Sequence, residues 1–514
     1  MIYLCRPPGR ALTRQLAMRT VFRTGNTGRV TRHLRRSFLI LACAMCSCGT
    51  VGGKGDRTVL VPDQSTSSIT VRLLFHAGSA YDPPDRDGLA YLTAAAITRG
   101  AAATSSPGRI TATVDREVVA IDGTCAPDHW PDFVRALTSL LAPRTPDADE
   151  TRRLVAAQSA QLDSLRGDAQ KLAWAALPYY LYYDHPYGHP PLGRDTTLRT
   201  LTGQDIRSFW EQHYTSDGLT LGLAGKIPSG AARSLQDALA KVLPHATAAP
   251  VTPPDVALSG LHVYAIDKPD DSVATIAIGS PLHSLRGDSG FAALSLLAVD
   301  WSTTGATRNG LDQLLHVDRG LTDFVSASAE PRDDEDGGVL DPSLPRHGQW
   351  LAIRTQVKPV NVTYLIRIVL VELARVADHG LAQEDLDGAR RYAGPRARLE
   401  SLNAVDQMRR RLTDVWLDRD GYDERLPDRL AGATAAEVRR SLRSELDPRN
   451  LVIVVVTPDA RSFAMRLMEG TMTYQYSPDV DARGLARDDQ QYFAYRPFWE
   501  LQKTRVVTSS EMFR

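Results

Sequence analysis

The sequence lacks an apolar run long enough to cross a bilayer as a helix, which takes about 20 residues. It is also poor in cysteine: five in 514 residues, of which Cys5, Cys43, Cys46 and Cys48 all precede residue 49. Cys125 is the only one beyond that point, so no disulfide framework supports the main body if the early cysteines are removed or modified. A buried apolar thiol is the expected role of Cys125, against a reactive thiol or an intermolecular bond. There is no net charge either, because 60 basic residues balance 60 acidic ones. That balance argues against a whole-protein basic surface for nucleic acid. Aromatics are only 7%, yet 43% of the residues are hydrophobic, too many for a disordered chain. The length suggests two to four domains at about 100–200 residues each.

What is present begins with a basic leader. Residues 1–47 hold nine arginines, ending in Arg35-Arg36, and no acidic residue. The short apolar run Ser37 to Met45 follows, then small residues around Cys48, the order of a signal peptide. The segment resembles a bacterial lipoprotein signal, with Cys48 acylated as the new N-terminus. Cleavage at Cys43 and export without lipid are the alternatives, and Met18 would serve as a later start. The expected location is a bacterial membrane surface, in the periplasm or at the outer membrane, reached through the lipid. Residues 48–514 then hold 51 basic and 60 acidic residues, a formal charge of −9, which strengthens the case against nucleic acid. Gly49 to Lys54-Gly55 reads as part of a flexible tether over 48–56; no strand precedes it, which argues against a phosphate loop.

The remainder repeats itself. A strand-like Ile69–Phe75 runs through Gly78-Ser79 and a polar loop into Gly88-Leu89 and a helical run from Ala90 to Ile97. Val273 to Ile278 runs in the same order through Gly279-Ser280 into Gly290-Phe291 and a helical run from Ala292 to Val299. Later, Thr202-Gly203-Gln204-Asp205 and Thr434-Ala435-Ala436-Glu437 each have the spacing of a helix capping box and precede the apolar strands Leu219–Ala224 and Leu451–Val456. These repeats predict two similar α+β halves, 57–245 and 257–460, each a mixed sheet covered by helices, with a linker over 246–256 and a tail over 461–514. Helices are expected over Asn361–His379 and Gln383–Leu417.

Phe75-His76-Ala77-Gly78-Ser79 with Asp82, Gly88-Leu89-Ala90 and Thr98-Arg99-Gly100 resemble the first half of the pitrilysin, insulinase and mitochondrial-processing-peptidase family. Tyr183 to Gly193 and Leu201 to Asp205 are similar to the later part of that half. Asp267-Lys268-Pro269, Gly320-Leu321-Thr322, Leu399-Glu400-Ser401, Arg505-Val506-Val507 and Phe513 resemble its second half and tail. The resemblance implies a LuxS/insulinase-like clam-shell architecture.

Active members of this inverzincin-like family carry H-x-x-E-H on the helix after the Gly-Leu-Ala turn. Two His four apart share one helix face and a Zn²⁺, the Glu between them serves as general base, and a later Glu completes the ligands. Here the five positions read Tyr91-Leu92-Thr93-Ala94-Ala95, and the third-ligand region offers Gln158. Both ligands and the base are absent at those positions, and neutral Gln is a poor zinc ligand. The resemblance also implies an Arg and a Tyr that hold substrate in non-zinc partners; the matching positions are His316 and Asp323, with Arg319 or Arg308 as possible substitutes.

Other constellations invite chemistry less strongly. His185-Pro186-Tyr187-Gly188-His189 has a metal-like spacing, but its prolines and glycine exclude a helix, so a structural loop is expected. Gly287-Asp288-Ser289-Gly290 is superficially like a serine-protease loop, yet it stands at the repeat position of Asp87-Gly88. The acidic Asp333-Asp334-Glu335-Asp336 lacks alternating calcium-ligand spacing. The aromatic group Trp174, Tyr179, Tyr180, Tyr182, Tyr183 and Tyr187 is expected as helix core, with the lining of a peptide chamber as the alternative.

The leading expectation is a lipid-anchored family member that has lost zinc catalysis, binds no cofactor, and acts as partner or peptide-binding subunit of a zinc-bearing homologue or in a homodimer. An active zinc endopeptidase with ligands from His76, His129, His185 or Glu150 is the second. A lipoprotein scaffold without peptide binding is the third.

Overall fold

The computed structural model describes residues 57–514 apart from 104–107, 184, 247–250, 252–255, 257, 303–306, 330–346, 400–401, 420, 479, 481 and 498–502. The leader, Cys48, the tether, most of the linker and the acidic run at 333–336 lie outside the described residues. No described helix is long and apolar enough to cross a membrane.

The first half runs β1 (Thr58–Pro62), β2 (Ile69–Phe75), α1 (Leu89–Ala103), β3 (Gly108–Val114), β4 (Val119–Cys125), α2 (Trp130–Leu141), α3 (Ala148–Gly167), α4 (Ala169–Leu181), α5 (Asp195–Leu198), α6 (Gly203–His213), β5 (Thr220–Gly225) and α7 (Ala231–Leu239). The second runs β6 (Leu261–Asp267), β7 (Ala274–Leu282), α8 (Phe291–Ser302), β8 (Val325–Ser328), β9 (Gln349–Val357), α9 (Val362–His379), α10 (Gln383–Leu399), α11 (Ala404–Trp416), α12 (Tyr422–Gly432), α13 (Ala435–Glu445) and β10 (Leu451–Thr457). Residues from 460 onward add α14 (Ala460–Met468), α15 (Ala482–Asp488), α16 (Gln490–Ala494) and β11 (Thr504–Thr508).

The fold is α+β with two mixed sheets, and the internal repeat is a repeat of topology. The first sheet has the order β1-β5-β2-β4-β3, the second β11-β6-β10-β7-β9-β8. Replacing β1, β5, β2, β4, β3 by β6, β10, β7, β9, β8 maps one onto the other, including the parallel first pair and the antiparallel remainder. The last strand, β11, extends the second sheet by pairing parallel to β6. Both capping boxes form: Thr202 with Asp205 and Thr434 with Glu437.

The halves are tied by exchanging helices. Helix α4 of the first half lies on β7 and β10, whereas α11 of the second lies on β1 and β5. Strand β10, Leu-Val-Ile-Val-Val-Val-Thr, is buried along its whole length. Alternate side chains face opposite ways: Val452, Val454 and Val456 join the core containing α4, and Leu451, Ile453 and Val455 join the core of the second half. A glycine admits each exchanged helix, since a Cβ at Gly222 of β5 would strike Met408 and Leu412 of α11, and one at Gly279 of β7 would strike Leu177 of α4.

One helix expectation is corrected. The run 383–417 is not a single helix: α10 ends at Leu399, and Asn403 begins α11 by accepting the amide of Asp406. An Asn at this position competes with helical pairing and starts a new helix instead.

Candidate functional site

The turn before α1 is fixed by one carboxylate. Asp82 accepts the amides of Gly88 and Ala90, both at 2.7 Å, and Gly88 takes φ +93°. Helix α1 is rich in alanine and buried on most sides, with Ala90, Leu92, Ala94, Ala96 and Ile97 inside. Tyr91 and Ala95, four apart, share one face. Across from them runs α3, whose N-cap Asp147 accepts the amide of Glu150.

The structure brings Tyr91, Ala94, Ala95 and Gln158 to the wall of one hollow of about 320 Å³, together with Leu154, Ala157 and Gln161 of α3 and Ala112 and Val114 of β3. Tyr91 donates from its phenol to Gln161 Oε1 at 2.6 Å, and burial raises its pKa. The Gln158 amide nitrogen donates to the carbonyls of Gly88 at 2.9 Å and Leu192 at 3.0 Å, so it ties α1 and the 190–193 loop to α3. These residues do not fit a zinc ion: the hollow is walled by apolar groups, two neutral amides, the Tyr91 phenol and the Thr98 hydroxyl, and its charged lining residue is Arg99. Among the described residues, no group of three or more His, Cys, Asp or Glu is arranged to hold a metal.

A second hollow of about 610 Å³ shares Tyr91, Ala112, Val114 and Gln161 with the first. It continues past Leu162 and Leu165 to Trp174, Tyr179 and Phe513, with Thr113, Asp115, Arg116, Lys171 and His189 as polar lining. Burial lowers the His189 pKa, against the pull of Asp87. Strand β3 lies along both hollows at the end of its sheet, and among the described residues nothing pairs with its outer edge. Residues Ile110, Ala112 and Val114 alternate with the exposed Thr111 and Thr113.

The aromatic group is divided in its placement. Tyr182 and Tyr187 are fully buried core, Trp174 and Tyr179 line the larger hollow, and Tyr180 stacks on Tyr264 of the other half at 3.5 Å between ring centroids. Tyr183 is exposed.

The remaining candidates are structural. His185 caps a short 3₁₀ turn by accepting the Tyr187 amide, and His189 faces Asp87 at 3.7 Å. His76 stacks on Trp416, and Glu150 is held by Arg144 in two bonds of 2.6 and 2.7 Å. His129 ends a 3₁₀ turn before α2. Asp288 accepts the Leu285 amide in its turn, and Cys125 is a buried free thiol whose pKa burial pushes up to about 11. His316 lies in a π-helical turn, 3.7 Å from Asp312, and Asp323 is exposed. Arg319 is not available to hold a substrate, because it is buried against Asp489 and the Leu314 carbonyl. Arg308 is exposed and pairs with Glu384 at 3.0 Å.

Two constellations escaped sequence reasoning. Glu117, fully buried, accepts from Tyr187 and lies 3.0 Å from His347 Nδ1 of the other half. The C-terminus forms a hook: Arg166 donates to the carbonyls of Met512 at 2.8 Å and Phe513 at 2.9 Å, and Asp195 donates its amide to Phe513 at 3.1 Å. Phe513 takes φ +59°, a region bulky residues rarely adopt. Partners hundreds of residues apart in sequence leave no local pattern to read.

Residues 200–392 match the family described as Peptidase M16 inactive domain. The chain is 20% identical over 183 residues to a protein of Bacillus subtilis described as "Uncharacterized zinc protease YmxG", a match covering 34% of this chain. The chain is similar to the M16 peptidases. It spans less than half, 45%, of that curated relative's length. Among solved structures, the peptidase M16 inactive domain from Pseudomonas fluorescens superposes with a TM-score of 0.69 at 20% identity, covering 78% of this chain and 96% of that one. A chain of complex III2 from Candida albicans gives 0.65 at 14%, covering 78% and 94%. A protease from Helicobacter pylori gives 0.65 at 13%, covering 79% and 97%. At these identities the M16 likeness of the structures establishes the fold.

Proposed function

We propose that this chain is a non-catalytic M16-type subunit that holds an extended peptide along the outer edge of β3 and works beside a zinc-bearing homologue. The observation that carries the reading is that Tyr91, Ala94, Ala95 and Gln158, the positions that the family resemblance gives to the zinc motif, line one hollow and offer it a phenol, two methyls and an amide. A metal lowers the pKa of water from 15.7 to about 7, and a positioned base adds about 10²–10⁴-fold. A wall of alanines supplies neither. An edge strand with unpaired backbone groups beside an aromatic-lined hollow suits strand addition by a peptide. Acylation at Cys48 would fix the subunit to a membrane surface. The likeness to a chain of complex III2 supports a subunit role.

The test is reconstitution with a homologue from the same genome bearing H-x-x-E-H. The reading expects the two to co-purify and the homologue's cleavage of an unstructured peptide to rise when this chain is present. Neither complex nor stimulation would favour the scaffold reading.

A further inference from the structure

We infer that the hollow at the former motif positions is itself a side-chain pocket, taking one large, neutral, apolar residue of the bound peptide. The inference rests on the peptide reading above and adds what the peptide must contain. The hollow of about 320 Å³ is walled by Ala94 and Ala95 of α1, Leu154 and Ala157 of α3, and Ala112 and Val114 of β3. Tyr91 with Gln161, Thr98 with its own helix carbonyls and the Gln158 amide nitrogen already hold hydrogen bonds, while Gln158 Oε1 is buried and accepts none among the described residues. An apolar side chain therefore breaks none of these bonds on entering, whereas an acidic one would lose its hydration without meeting a buried cation, since Arg99 is exposed at the margin.

The edge strand says how such a side chain arrives. In β3 the residues Ala112 and Val114 line the smaller hollow, which the exposed Thr111 and Thr113 do not, although Thr113 also borders the larger one. A strand paired to the outer edge continues that alternation, so every second side chain descends on the side of Ala112 and Val114. Those two residues line both hollows, and the Tyr91–Gln161 bond stands where the hollows meet. Residues i and i+2 of the peptide, about 7 Å apart, thus address neighbouring hollows, one over the alanines of α1 and one toward Trp174, Tyr179 and Phe513.

The experiment uses the processed chain and a labelled nine-residue peptide of Thr, Ser and Gly carrying two Phe two positions apart, with versions in which either Phe is Ala. Binding is followed by fluorescence anisotropy. Each Phe is expected to tighten binding by about tenfold or more. Filling the pocket with Ala95→Phe should abolish the gain from one Phe and leave the gain from the other. Ala157→Phe, which fills the same hollow from the exposed face of the opposite helix, should do the same and guards against a folding defect in α1. If both Phe gains survive in both variants, the pocket is refuted while the peptide reading stands. If the wild-type chain binds none of the peptides, the peptide reading falls, and the pocket with it.

Discussion

Tyr91, Ala94, Ala95 and Gln158 line one hollow, and two of them hold its walls together. Gln158 is a clamp on two carbonyls, and Tyr91 a bridge to Gln161. Removing the bridge with Tyr91→Phe should cost only about 0.5–1.5 kcal/mol in denaturant unfolding, the net worth of one hydrogen bond. Two buried titratable groups set opposite pH trends. Burial drives the His213 pKa from 6.5 down to about 4, opposed by its bond to the His76 carbonyl. Between those values the unfolded chain binds a proton that the folded chain refuses, so stability tied to His213 is present above about 6.5 and lost as pH falls to 4. Burial lifts the Asp300 carboxyl from 3.8 to about 7, so the folded chain keeps a proton that the unfolded chain has released, and stability falls as pH rises through that window. Asp300→Asn should therefore raise the melting temperature relative to wild type at pH 8 and change it little at pH 4. A gain of equal size at both values would contradict this assignment.

At the scale of elements, the strands and helices nearest the repeats were legible because turn glycines, capping boxes and apolar runs are local signals. The strand at Ile69–Phe75 and both capping-box helices follow those signals. The break between α10 and α11 is masked by the apolar spacing that continues through Leu399 and Leu402, and its one local mark is the Asn403 cap. The exchange of α4 and α11 was illegible, since a helix's apolar face does not name the sheet that covers it. That exchange predicts a large effect at Trp416, which is fully buried between α11 and the first sheet. Trp416→Ala should cost about 3–5 kcal/mol in an unfolding titration. Gly222→Ala should cost about 1–3 kcal/mol by overpacking against Met408 and Leu412.

Across the whole molecule, the C-terminal hook couples the second sheet to the wall of the larger hollow, because β11 pairs with β6 and Phe513 five residues later lines that hollow. Truncation after Thr508 should lower thermal stability and weaken peptide binding together. The family resemblance placed the zinc-motif positions at Tyr91, Ala94, Ala95 and Gln158, but the sequence could not show that these residues converge on one hollow beside the outer edge of β3, which depends on packing between α1, α3 and β3. The central claim is that this hollow performs no metal chemistry. Its most direct test is zinc stoichiometry of the purified, processed chain, measured with cleavage of an unstructured peptide in the presence and absence of chelator. The account predicts no stoichiometric zinc and no chelator-sensitive cleavage; one zinc per chain with cleavage abolished by chelator would contradict it.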